Sequence, residues 1–203
     1  VNDELEQTSA QVKAVNWFGN KFQQTLADIE HNYDQYRLSD SLMAIYKLIW
    51  DDFCSWYLEA IKPTFGEPID RKTFDATIGY LENVLKVLHP FMPFLTEEIW
   101  HLIAERTDDE ALIVSKYPEI TSFDETIIKN FENTKEATTA IRGLRSEKGM
   151  SPKEALEVFA DAQATNEIYV DVFSKLGNVS NFNTGDKPEK GFAFRVGTLE
   201  FMI

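Results

Sequence analysis

Residues 39–63 read SDSLMAIYKLIWDDFCSWYLEAIKP, and the reading of this stretch decides the fold. Leu42, Ile45, Ile49, Phe53 and Trp56 recur three or four residues apart, the period of one helical face. Tyr46, Trp50, Tyr57 and Ile61 widen the stripe. A helix apolar over so wide an arc belongs in the middle of a bundle. Ser39 and Asp40 offer an N-cap and a first-turn acid. Lys62-Pro63 ends the helix, because the residue before a proline avoids the α region.

The same period extends outward in both directions. Upstream, Val15, Phe18, Phe22, Leu26, Ile29 and Tyr33 share one face of a helix expected from about Ser9 to Tyr36. Its other face is polar, with Asn16, Asn20, Gln23, Asp28 and Glu30. Downstream, Phe74, Ile78, Leu81, Leu85 and Leu88 predict a third helix from near Asp70. Pro90 and Pro93 break it, and Thr96-Glu97-Glu98 reads as the next start. Leu112-Ile113-Val114 reads as a short extended run. A long helix is expected from about Asp124 to Lys148, stopped by Gly149 in a left-handed conformation and followed by Pro152. Beyond Pro152 the pattern changes. Strands are expected at 154–160 and 179–183, a helix at 166–176 closed by Gly177, and a loop at 184–188. Phe192, Phe194 and Val196 alternate, and Leu199, Phe201 and Ile203 resume in the opposite phase, which predicts a bulge or turn near Gly197. The expected fold is mainly α: a helical bundle over residues 1–150, then a small α+β module over 151–203.

The composition narrows the function classes. Of 203 residues, 43% are hydrophobic and 27% charged, ordinary for a globular chain. One cysteine, Cys54, excludes an internal disulfide framework and a thiolate-rich zinc site. Three histidines argue against a histidine-rich metal site. No apolar run reaches the length of about 20 residues that spans a bilayer, and the acidic N-terminus is unlike a signal peptide. A cytoplasmic setting with no membrane contact is the expectation. The formal charge of −14 argues against a free-standing nucleic-acid or membrane-surface binder. The charge is uneven, however. Residues 51–128 carry 16 acids and 6 bases, whereas residues 129–153 carry 6 bases and 3 acids.

Motifs of catalysis are missing. There is no Gly-rich phosphate loop, no GxSxG, no HExxH and no CxxC. Asp51-Asp52 and Glu97-Glu98 are adjacent pairs that diverge on a helix, so they read as solvated faces or dipole partners. Cys54 reads as a buried thiol, and His89 before Pro90 as a structural hydrogen-bonding group. Trp50, Phe53, Trp56 and Tyr57 are either core or a platform for stacking bases, core being the commoner outcome at helical spacing. Arg142, Arg145 and Lys148 repeat every three residues. Such a stripe either grips phosphates or is a solvated face that complements the helix C-terminus.

Two longer motifs carry a resemblance. Asp51-Asp52-Phe53-Cys54-Ser55-Trp56-Tyr57-Leu58-Glu59, followed by Lys62-Pro63, is similar to a signature of the anticodon-binding domain of class I aminoacyl-tRNA synthetases. Leu88-His89-Pro90-Phe91-Met92-Pro93-Phe94-Leu95-Thr96-Glu97-Glu98-Ile99-Trp100 resembles a second signature, shared by the valyl, isoleucyl and leucyl members. Flanking matches at 16–22, 141–148 and 196–201 bring the chain nearest the valyl branch, with the isoleucyl branch next.

The resemblance implies a C-terminal anticodon-binding region: an antiparallel helical bundle and the module after it. It implies a parent that joins valine to its tRNA with ATP and magnesium. The HIGH-like and KMSKS-like motifs of that chemistry do not occur here, so no catalytic residue, no metal ligand and no cofactor is expected in this chain. The implied partners are the tRNA(Val) anticodon loop and other domains of the same synthetase, not DNA. Valine anticodons share their second and third bases, A and C. Bases in a single-stranded loop are read on their edges by polar groups and stack on aromatics. Asn16, Asn20, Lys21 and Gln24 on the first helix supply polar groups, and Trp17 a ring. Arg142, Arg145 and Lys148 supply cations for the backbone. The alternative is an architectural or protein-interaction domain without base readout.

Overall fold

The structure, a computed structural model, describes residues 1–185, 188 and 191–203. The expected loop at 184–188 includes Asp186 and Lys187, which lie outside the described residues. Among the described residues the chain is mainly α, with one small sheet. Its helices are α1 (Ser9–Asp34), α2 (Leu38–Lys47), a π-helical stretch (Leu48–Tyr57), α3 (Leu58–Ile61), α4 (Arg71–Leu88), α5 (Pro93–Ile103), α6 (Glu125–Glu147), α7 (Ala164–Glu167) and α8 (Val170–Gly177). The strands are β1 (Leu156–Ala160), β2 (Val179–Thr184), β3 (Ala193–Val196) and β4 (Leu199–Met202). Among the described residues, no helix is long and apolar enough to cross a membrane.

Packing divides the chain into two compact units. One holds residues 1–7, 18–58 and 62–123; the other holds 8–17, 59–61 and 124–203. The expected division at residue 150 marks a change of secondary-structure type. Packing instead places α6 and the first turns of α1 with the sheet.

The first unit is built on the stripes read from the sequence. Phe18, Phe22, Leu26 and Ile29 of α1 are buried, as are Ile45, Leu48, Phe53 and Tyr57. Phe18 meets the rings of Phe53, Tyr57 and Tyr80 at 5.2, 4.9 and 5.1 Å. The Tyr57 hydroxyl shares a 2.8 Å hydrogen bond with Thr77, and burial raises its pKa. A side chain at Gly19 would meet the Tyr80 hydroxyl at 2.6 Å, so glycine admits that ring. Asp70 caps α4 by accepting from the Thr73 N–H.

Several expectations are corrected here. The helix after the proline break starts at Pro93, not Thr96, since proline suits the first helical position. Thr96 is instead an internal anchor, hydrogen-bonded at 2.7 Å to His89, the structural bond expected of that histidine. Residues Leu112–Val114 form a 3-10 turn rather than an extended run. It is held by Glu97, which accepts from the Leu112 N–H at 2.9 Å. Asp52, expected on a solvated face, is buried. Cys54 is exposed. The helix around Cys54 is not uniformly central either: Leu42, Tyr46 and Trp50 face outward.

In the second unit the sheet order is β2-β1-β4-β3. The β1–β2 pair is parallel, joined through α7 and α8, and the other pairs are antiparallel. Ala137 and Ile141 of α6 join Val158, Ala160, Phe173, Val196, Leu199 and Phe201 in its core. The single helix expected over 166–176 is two short ones. The break is fastened by the Tyr169 N–H donating to Thr134 Oγ1 at 2.9 Å, and left-handed Asn178 closes α8. Gly149 (φ 66°) stops α6, and Gly197 (φ 55°) makes the β3–β4 turn, both as expected.

Candidate nucleic-acid interface

The polar side of α1 presents the first group of expected tRNA contacts. Asn20, Lys21 and Gln24 are half-buried, and Asn16, one turn earlier on the helix, is exposed. Lys21 donates to Gln24 Oε1 at 3.1 Å, which orients the amide so that its NH2 remains a donor. Spacing of one helical turn puts three amides in a row. Each carries both donor and acceptor atoms, the equipment for reading a base edge.

Trp17 does not belong to this surface. It is fully buried, and its ring stacks on Phe131 with centroids 3.7 Å apart and planes 4° from parallel. Lys135 lies 5.3 Å over the same indole. The expectation that Trp17 stacks on a base is corrected. Trp17 and Phe18 are both inside, Trp17 against Phe131 and Phe18 against Phe53 and Tyr57, which one apolar stripe does not describe.

The basic stripe divides as well. Arg145 is 4% exposed. Its guanidinium donates to four carbonyls, those of Ser151, Glu154, Gly177 and Asn178, at 2.7–3.1 Å. Burial pulls its pKa down, with Glu154 acting the other way. This is a clamp on the turn leading into β1 and on the C-terminal end of α8, so Arg145 is removed from the expected tRNA contacts. Arg142 remains exposed while it donates from Nε and Nη2 to the Leu176 carbonyl near the end of α8 (3.3 and 2.8 Å). Lys148 is exposed at the end of α6, paired with Glu147 at 2.6 Å and 4.9 Å over the Phe192 ring. Each keeps a charged edge toward solvent, where a phosphate oxygen has access.

The aromatic cluster at 50–57 separates in the same way. Phe53 and Tyr57 are core, whereas Trp50 is 60% exposed and pairs with Tyr46, 55% exposed. The two rings lie 6.5 Å apart and 14° from parallel. The signal for this pair was present in the sequence as the i, i+4 spacing of Leu38, Leu42, Tyr46 and Trp50. It was masked because the neighbouring stripe is equally apolar.

A sequence profile of the anticodon-binding domain of tRNA ligases matches residues 15–160. The valine–tRNA ligase of Christiangramia forsetii is 46% identical over 206 aligned residues, covering all of this chain and 23% of the relative. Those of Phocaeicola vulgatus (42% identical, 94% of this chain, 22% of the relative) and Parabacteroides distasonis (38%, 100% and 23%) are similar over nearly the same extent. The chain thus spans about a quarter of the length of these relatives. A helical bundle with an amide-lined helix face, matched by a profile over most of its length, leaves one assignment: the chain belongs to the family of anticodon-binding domains of tRNA ligases.

Proposed function

We propose that the chain is the anticodon-recognition part of a valine–tRNA ligase. It positions tRNA(Val) while other domains of the polypeptide activate valine and transfer it. The carrying observation is the alignment with valine–tRNA ligases over the whole length of this chain. In this reading Asn16, Asn20, Lys21 and Gln24 face the loop bases, and Arg142 and Lys148 meet backbone phosphates. The chemistry of amide edges and solvent-facing cations supports those roles. ATP and magnesium serve other parts of the ligase, and no step involving them runs through these residues. The compartment implied is the cytoplasm, where tRNA is charged.

The test is aminoacylation by the full-length ligase of tRNA(Val) transcripts altered at the second or third anticodon base. The efficiency falls at least about tenfold for either change, the scale of one lost base-edge contact. Charging that is indifferent to both bases overturns the proposal.

A further inference from the structure

The outward side of α2 and the π stretch carries an apolar ridge that the tRNA reading does not use. Leu38, Leu42, Tyr46 and Trp50 follow one another at every fourth position, all exposed, with Met43 beside them. Cys54, exposed, continues the line. Such a ridge on one helix is the pattern by which a helix docks into a protein groove. Paired aromatics are also the residue type that anchors protein interfaces. The ridge runs from α2 onto the π-helical stretch, which carries Trp50 and Cys54 and is a distorted geometry concentrated at functional positions.

We infer that this ridge docks against another part of the same ligase polypeptide, with Tyr46 and Trp50 as its anchors. The inference rests on the reading of the chain as part of a valine–tRNA ligase. Two observations choose the occupant. The chain covers 23% of the relatives it matches end to end, so most of such a polypeptide is available to cover the ridge. The exposed charges along the ridge, Arg37, Asp40, Lys47 and Asp51, cancel. An RNA backbone finds no net positive field there, while leucine, methionine and aromatic side chains suit a dry protein contact.

The test is hydroxyl-radical footprinting of the full-length ligase, with rates for Tyr46 and Trp50 compared with those of the urea-unfolded enzyme. Rings covered by protein are strongly protected, whereas rings as open as Tyr46 and Trp50, 55% and 60% exposed, are only weakly slowed relative to the unfolded chain. The expected result is strong protection without tRNA, unchanged when tRNA is added or the enzyme is diluted. Weak protection overturns the inference. Protection that appears only with tRNA assigns the ridge to RNA and also overturns it. So does protection lost on dilution, which assigns it to a second copy. The base-substitution assay is independent. Indifference to the anticodon with protected rings removes the proposed function, and base-sensitive charging with open rings removes only the docking.

Discussion

Arg145 shows how one side chain changes meaning between a charge count and a structure. In the sequence it is one of three cations in a basic stripe. In the fold its two terminal nitrogens donate to the carbonyls of Ser151, Glu154, Gly177 and Asn178. Charged hydrogen bonds are worth about 1.5–3 kcal/mol each, and carbonyls left without donors add a cost. Replacing Arg145 with Ala lowers stability by at least about 3 kcal/mol, measured by urea unfolding. Lysine does not rescue it, because one ammonium does not reproduce a planar fork reaching four acceptors. An Arg145→Ala chain as stable as the parent contradicts the clamp. Trp17 teaches the same lesson: its ring, legible as a stacking group, already stacks on Phe131.

At the scale of elements, the parts most legible in the sequence are long and periodic. Helix α1, expected over 9–36, ends two residues early; α6 and the stop at Gly149 match within a residue. What was not legible depends on partners distant in the chain. Leu112-Ile113-Val114 looks like a strand by composition, and its 3-10 turn follows from the Glu97 carboxylate that holds it. The two-part helix at 164–177 depends on Thr134, more than thirty residues away. Of the residues proposed to meet tRNA, the amides of α1 were legible as a polar face, and the burial of Trp17 and Arg145 was not, since apolar periodicity does not report partners distant in the chain.

One tie between elements has a pH signature. Lys13 of α1 pairs with Asp171 of α8 at 2.7 Å. That hydrogen bond is the main cause holding the Asp171 carboxyl below its usual value of 3.8. A carboxylate depressed in the folded state contributes stability that is fully present above the unfolded pKa and is lost as pH falls through the folded one. Stability therefore declines below about pH 4 in part through this pair. Asp171→Asn lowers the melting temperature near pH 7 and makes the decline below pH 4 shallower, as read by thermal unfolding across pH. An unchanged acid limb contradicts the tie.

For the molecule as a whole, the net charge of −14 is compatible with tRNA binding because the acids are concentrated in residues 51–128. With Arg145 inside, the basic stripe keeps Arg142 and Lys148 exposed, the two cations proposed to meet phosphates. On the proposed function, binding of tRNA by the full-length ligase depends on salt through each neutralised phosphate, with a slope near −0.7 per contact for single strands. Arg142→Ala reduces that slope by about 0.7, and loss of its exposed bonds to the Leu176 carbonyl lowers the melting temperature less than Arg145→Ala does. A slope unaffected by the substitution removes Arg142 from the interface.

The π-helical stretch Leu48–Tyr57 has a consequence for how this part of the chain can vary in length. Its hydrogen bonds reach five residues back, as in the Leu58 N–H donating to the Phe53 carbonyl. A helix wound this way holds one more residue between fixed ends than a regular one would. Removing one residue there restores ordinary winding without breaking the helix. The winding, not the residue count alone, therefore keeps the core face at Phe53 and Tyr57 in phase with the outward ridge at Trp50. A relative one residue shorter within this window keeps both the ridge and the ring cluster around Phe18 by winding there as an ordinary α-helix.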